Sequence, residues 1–112
     1  MARNMKPDYI RKLIKMELPE GYKFDVANYL HNPAYGYDYP AFIKQIGEDE
    51  TTITERRVCY MKYYDGRGEY LEKISVFKKD GTKNGWVFAK SVKENVLEAG
   101  NRFNLNKLIS LI

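Results

Sequence analysis

The chain has 112 residues, of which 44% are hydrophobic and 30% charged, with a formal net charge of +4. That length fits one domain, 1–112, able to bury a core without metal or disulfide staples, and the composition excludes intrinsic disorder. A single cysteine, Cys59, excludes an internal disulfide and a multi-cysteine zinc site, so no metal or other cofactor is expected.

Met1 to Lys6 is polar and carries no apolar signal core, and no apolar run reaches membrane length. A reducing, cytoplasmic location away from membranes is the expectation, although a secreted chain stripped of its leader would read the same way. Charge is unevenly placed: residues 56–112 hold twelve Lys/Arg against six Asp/Glu, whereas residues 41–55 hold one lysine against Glu48, Asp49, Glu50 and Glu55. The basic half could steer an anionic partner, or could simply keep the chain soluble. Ten tyrosines are the most distinctive feature of the composition.

In chain order, the first predicted element is a helix from about Pro7 to Glu17. Proline suits the first helical position, where its missing N–H has no partner to lose. Ile10, Leu13, Ile14 and Leu18 form one stripe, with Arg11, Lys12 and Lys15 opposite. Pro19 and Gly21 stop it. Tyr22, Phe24 and Val26 alternate with polar residues as in a half-buried strand, while Asp25 could instead cap a short helix through Leu30. Residues 32–40, with Pro33, Gly36 and Pro40, read as a loop, and Phe42, Ile43 and Ile46 resume as strand or helical turn.

Thr51 to Tyr64 and Glu69 to Lys79 read as a long hairpin around Asp65-Gly66-Arg67-Gly68. Closure around two residues or four gives the same facing. One face then collects Ile53, Cys59, Met61, Tyr63, Tyr70, Ile74 and Val76 as the core side. The other collects Arg56, Val58, Tyr60, Lys62, Tyr64, Glu69, Leu71, Lys73 and Phe77. Asp80-Gly81 and Asn84-Gly85 turn the chain into a strand from Trp86 to Lys90. Ser91 and Glu94 have capping-box spacing, predicting a short helix that ends at Gly100. Asn104 caps a last helix with Leu105, Leu108, Ile109 and Ile112 on one stripe. The expected fold is α+β, an antiparallel β-meander of about four strands with an N-terminal helix and C-terminal helices packed on one face.

Catalytic patterns are missing. Gly66 and Gly68 lie between strands with no helix N-terminus behind them to bind phosphate, and there is no GxSxG or HExxH. His31 and Cys59 are the only pair from which a thiol nucleophile and base could be drawn, and Cys59 falls on the expected core face as a small hydrophobe. Glu48, Asp49 and Glu50 lack the alternating oxygen ligands and directing glycine of a calcium loop and read as a solvated acidic turn. No enzymatic activity is expected.

Two features suit binding. Tyr35, Tyr37 and Tyr39 stand between glycine and prolines, and tyrosine gives rigid contact area with a polar tip, although such a loop can also fold back and cover a sheet edge. On the outer hairpin face, Tyr60 and Tyr64 interleave with Arg56, Lys62 and Lys73, as rings that stack bases do among cations that meet phosphates. The expectation is a small accessory or inhibitory protein that occupies a protein partner's surface through these five tyrosines. A nucleic-acid-binding protein using Arg56, Lys62 and Lys73 is the alternative. Homodimerisation is a further expectation, drawn from apolar residues on both hairpin faces.

Overall fold

The computed structural model describes residues 7–25, 39–80 and 85–112. Among the described residues two short helices and five strands follow in the order α1 (Pro7–Lys15), β1 (Lys23–Phe24), β2 (Phe42–Glu48), β3 (Thr52–Lys62), β4 (Gly68–Asp80), β5 (Gly85–Ala99) and α2 (Leu105–Ser110). The strands form one antiparallel sheet in sequence order, β1-β2-β3-β4-β5. The fold is therefore α+β, with five strands where about four were expected.

Local chemistry explains the ends. α1 starts at Pro7 as predicted and stops at Lys15, two residues short of Glu17. Beyond it, Glu20 and Gly21 take positive φ angles of 26° and 84°, and the Tyr22 N–H donates to the Pro19 carbonyl at 3.0 Å. Of the expected apolar stripe, Leu13 is buried and Leu18 half-buried, whereas Ile14 faces solvent. Phe42, Ile43 and Ile46, left open between strand and helical turn, all lie in strand β2. α2 is capped as expected: the Asn104 side chain accepts from the Lys107 N–H at 3.1 Å, satisfying an amide that has no partner within the helix.

The segment from Ser91 to Gly100 corrects the reading. Instead of a helix it continues β5, which runs for 15 residues rather than ending at Lys90. Ser91 and Glu94 keep their capping-box spacing, but pairing with Ser75 and Lys73 of β4 wins over it. Three one-residue register shifts, at Leu97, Val92 and Ala89, let a sequence without strict alternation stay on the ladder.

The hairpin facing is also corrected. Lys62 pairs with Gly68, so five residues lie between the strand ends. The Tyr63 N–H donates to the Arg67 carbonyl at 2.7 Å, and Gly66 holds φ 86°. An odd turn slips the register by one relative to two- or four-residue closure, which flips one strand's side chains. Tyr60 therefore pairs with Tyr70, Val58 with Glu72 and Arg56 with Ile74 on one face. Cys59 pairs with Leu71 and Arg57 with Lys73 on the other.

The first of these is the core face. Phe24, Phe42, Val58, Tyr60 and Tyr70 are buried there in one cluster with Leu13 of α1 and Leu108 of α2. Val58 and Tyr60, expected on the outer face, belong to the core, and Cys59, expected in it, lies on the reverse side.

Candidate functional site

The tyrosines expected to anchor a partner have different fates. Tyr35 and Tyr37 lie outside the described residues, as does His31. Tyr39 is half-buried, with its ring 4.9 Å from that of Tyr60 and 5.0 Å from that of Phe103. This is the folded-back arrangement the loop sequence also allowed. Tyr60 is 4% exposed and sits at the hub of the aromatic cluster, 4.8 Å from Tyr70 and 5.5 Å from Phe103. Its hydroxyl donates to the Gly100 carbonyl at 2.8 Å. The Tyr70 hydroxyl accepts from the Asn104 N–H at 2.9 Å. These two hydroxyls hold the chain reversal between β5 and α2, so the rings fill the core while their polar ends satisfy buried backbone groups. Tyr60 is thus corrected from a surface anchor to a structural residue.

Of the three that are described, Tyr64 alone stands clear, fully exposed in the β3–β4 turn. The neighbouring turn is tied down: Arg67 lies over the Tyr63 ring at 4.5 Å, the Tyr63 hydroxyl donates to Glu69 at 3.2 Å, and Asp65 accepts from the Arg67 N–H at 2.9 Å.

The expected cationic patch is not assembled on one face. Arg56 donates to Glu72 at 2.5 Å and to the Tyr22 hydroxyl at 2.7 Å. Lys62 donates to the Asn101 carbonyl. Lys73 lies on the opposite face, and Tyr60, the ring meant to stack among these cations, is covered. The second carboxylate oxygen of Glu72 accepts from Asn95 at 3.1 Å and lies 3.8 Å from Lys93. The Arg56 bond, with help from Asn95, holds the Glu72 carboxyl below the usual glutamate value. These groups make a cross-strand ionic network rather than an open phosphate site.

Burial pushes the Cys59 thiol up, against the opposing pull of Lys73 and Arg57; an activated nucleophile needs the reverse. Asp49 accepts from the backbone N–H groups of Thr51 at 2.8 Å and Thr52 at 2.7 Å, which lowers its pKa and shapes the β2–β3 turn. Among the described residues no three His, Cys, Asp or Glu side chains cluster as a metal would require. A shallow cavity of about 360 Å³ lies beside β1 and β2, lined by Lys23, Ile43, Gln45, Ile53 and Glu55 among others.

The surface missed in the sequence is β5. It closes the sheet order with β4 on one side only, and every residue from Gly85 to Glu94 is exposed. Val87, Phe88, Val92 and Val96 are between 50% and 58% exposed, and Trp86 37%. Phe77 of β4 meets Phe88 edge to face at 5.9 Å, extending the apolar strip across the strand pair. Lys78, Lys79, Lys90 and Lys93 surround it, all exposed. The run Trp86-Val87-Phe88 ahead of Lys90 and Lys93 was the available signal; that the strand lies open at the sheet edge depends on long-range pairing.

Among the described residues no helix is long and apolar enough to cross a membrane. The chain matches no protein-family model, no curated protein and no solved structure.

Proposed function

We propose that this chain is a small non-catalytic binding protein that acts by occupying the surface of a protein partner in the cytoplasm. The observation that carries the reading is the edge strand β5, where Trp86 and Phe88 stand exposed beside Phe77 on one face, with Val87 exposed on the other and Val92 and Val96 further along. Exposed large side chains scattered singly are ordinary, but aromatic side chains clustered on an open edge and rimmed by charge are characteristic of interaction surfaces. An edge strand also offers a row of backbone donors and acceptors for pairing with another chain. Tyr64, exposed in the β3–β4 turn, is a second contact point. The lone Cys59, with its raised pKa, is in keeping with a reducing compartment and a role other than catalysis.

The test is site-specific photo-crosslinking in the cell, with the reactive residue at Phe88, at Tyr64 and, as a control, at Glu50 in the acidic turn. Protein adducts from Phe88 and none from Glu50 are expected. Nucleic-acid adducts in place of protein ones, or equal labelling from Glu50, would overturn the reading in favour of nucleic-acid binding or of no specific contact.

A further inference from the structure

We infer that the partner supplies an extended segment in which apolar and acidic residues alternate, and that this segment adds to the sheet as a sixth strand along β5. The inference rests on the protein-binding reading and specifies its chemistry. Residues directly paired across an antiparallel ladder share a face. The register therefore sorts the exposed half of β5 into two chemically different rows. Trp86 and Phe88, opposite Lys79 and Phe77, project on the face away from the core, and Val96 joins them opposite Leu71. Val87, Lys90 and Lys93, opposite Lys78, Val76 and Ile74, project on the core face, which makes that row mainly basic. An incoming strand sends alternate side chains to the two faces. Apolar residues on one face and carboxylates on the other complement both rows at once, while the backbone supplies the ladder.

Two other occupants fit less well. In a self-pairing centred on Val92, Glu94 of a second copy falls across from Lys90. The register shift between Lys93 and Ser91 places Lys90 and Glu94 on opposite faces, so that ion pair cannot form. A self-pairing centred on Lys90 sets the lysine against its own copy, a like-charge contact of the kind that protects edge strands from self-association. A single-stranded nucleic acid would need rings and several cations on one side to stack bases and neutralise phosphates together, whereas of Lys78, Lys79, Lys90 and Lys93 only Lys79 shares the face of Trp86 and Phe88.

The decisive experiment titrates the full chain by fluorescence anisotropy with a labelled synthetic peptide of about nine alternating valines and glutamates, the span of Gly85–Lys93. A valine–lysine peptide and a single-stranded oligonucleotide serve as comparisons. Selective binding of the valine–glutamate peptide, weakening with salt, is expected. The K90E/K93E double variant should weaken it by roughly five- to tenfold and turn preference toward the valine–lysine peptide. Should that variant not fold, hydrogen exchange in the wild-type chain decides, because the peptide should slow exchange in β5 and leave β2 unchanged. Equal binding of the two peptides, binding of neither, preference for the oligonucleotide, or a dimeric mass by light scattering without peptide would each overturn the inference. A protein adduct from Phe88 together with absent peptide selectivity would remove the strand-addition inference and leave the protein-binding reading standing.

Discussion

The two ends of the sheet use the same residue types to opposite effect. At one end Phe24, Phe42, Tyr60 and Tyr70 are buried with Leu13 and Leu108, and the tyrosine hydroxyls are engaged by backbone groups of the segment between β5 and α2. At the other, Trp86 and Phe88 stand on an edge strand exposed to water. Hydrophobicity does not distinguish the two groups. What does is whether other elements contribute to the cluster: the buried rings lie where β1, β2, α1 and α2 converge on β3 and β4, whereas β5 meets β4 alone for most of its length. The buried end therefore carries the stability, and under the proposed function the open end carries recognition, so substitutions should separate the two.

The largest effect should come from Phe42→Ala, because Phe42 is fully buried. Loss of its transfer free energy together with the cavity left behind should cost about 4 kcal/mol in denaturant unfolding. Gly68→Ala should follow at about 3 kcal/mol. A Cβ there would lie 1.8 Å from the Tyr60 hydroxyl and 2.2 Å from the Gly100 carbonyl. Gly68 is thus needed for close approach, whereas Gly66, with its positive φ, makes the turn. Tyr60→Phe should cost about 1.5 kcal/mol by leaving the Gly100 carbonyl without its donor. Because the added methyl and the hydroxyl compete for one space, the Gly68→Ala and Tyr60→Phe costs should sum to more than the double variant loses; strict additivity in that cycle would refute the close-approach role.

The role of Gly68 marks the limit of what was legible. The hairpin, the Pro7 start of α1 and the Asn104 cap are local signals, and each was readable because the deciding atoms lie within a few residues of one another. The facing of β3 against β4 hinged on whether the turn closes on an even or odd number of residues. Composition alone does not decide that, since Gly66 suits either. One residue of slip moved Tyr60 and Val58 into the core and Cys59 out of it. The β5 error is of the other kind. Ser91, Glu94, Leu97 and Ala99 are compatible with helix, and pairing with β4, a long-range contact, overrides that preference. Trp86, Val87 and Phe88 already lay on the expected strand from Trp86 to Lys90, but their exposure follows from its edge position, which no local signal gives.

Smaller effects should appear in the response to pH, where the two faces of the sheet carry glutamates shifted in opposite senses. On the core face the Arg56 hydrogen bond lowers the Glu72 pKa below the ordinary 4.5. The folded chain then releases that proton more readily than the unfolded one. The stability so gained is complete above the ordinary value and is lost as pH falls through the lowered one. On the reverse face burial raises the Glu55 pKa, with Arg57 pulling the other way and Asp25 adding to the rise. There ionisation costs stability as pH climbs through and beyond 4.5. Urea midpoints should show Glu72→Gln losing stability at about pH 7 and converging on wild type as pH falls through the lowered Glu72 value, while Glu55→Gln gains at neutral pH and loses that gain in acid. The same sign for both variants would mean that the two faces are electrostatically alike.

The smallest effect on stability is expected where the effect on binding should be greatest. Phe88 is 56% exposed, so Phe88→Ser removes contact with Phe77 but opens no enclosed cavity. Its cost should stay within about 0.5 kcal/mol. Serine at that position also removes an apolar group from an open edge, so the variant should remain soluble to higher concentration than wild type. Adduct formation from a photo-crosslinker moved to Val92 should fall sharply in the Phe88→Ser background, since apolar interface residues near the centre of a patch carry most of the association energy. A loss of stability comparable to that of Phe42→Ala would instead assign Phe88 to the core, and the division of the sheet into a stability end and a recognition end would fail at the residue on which it most depends.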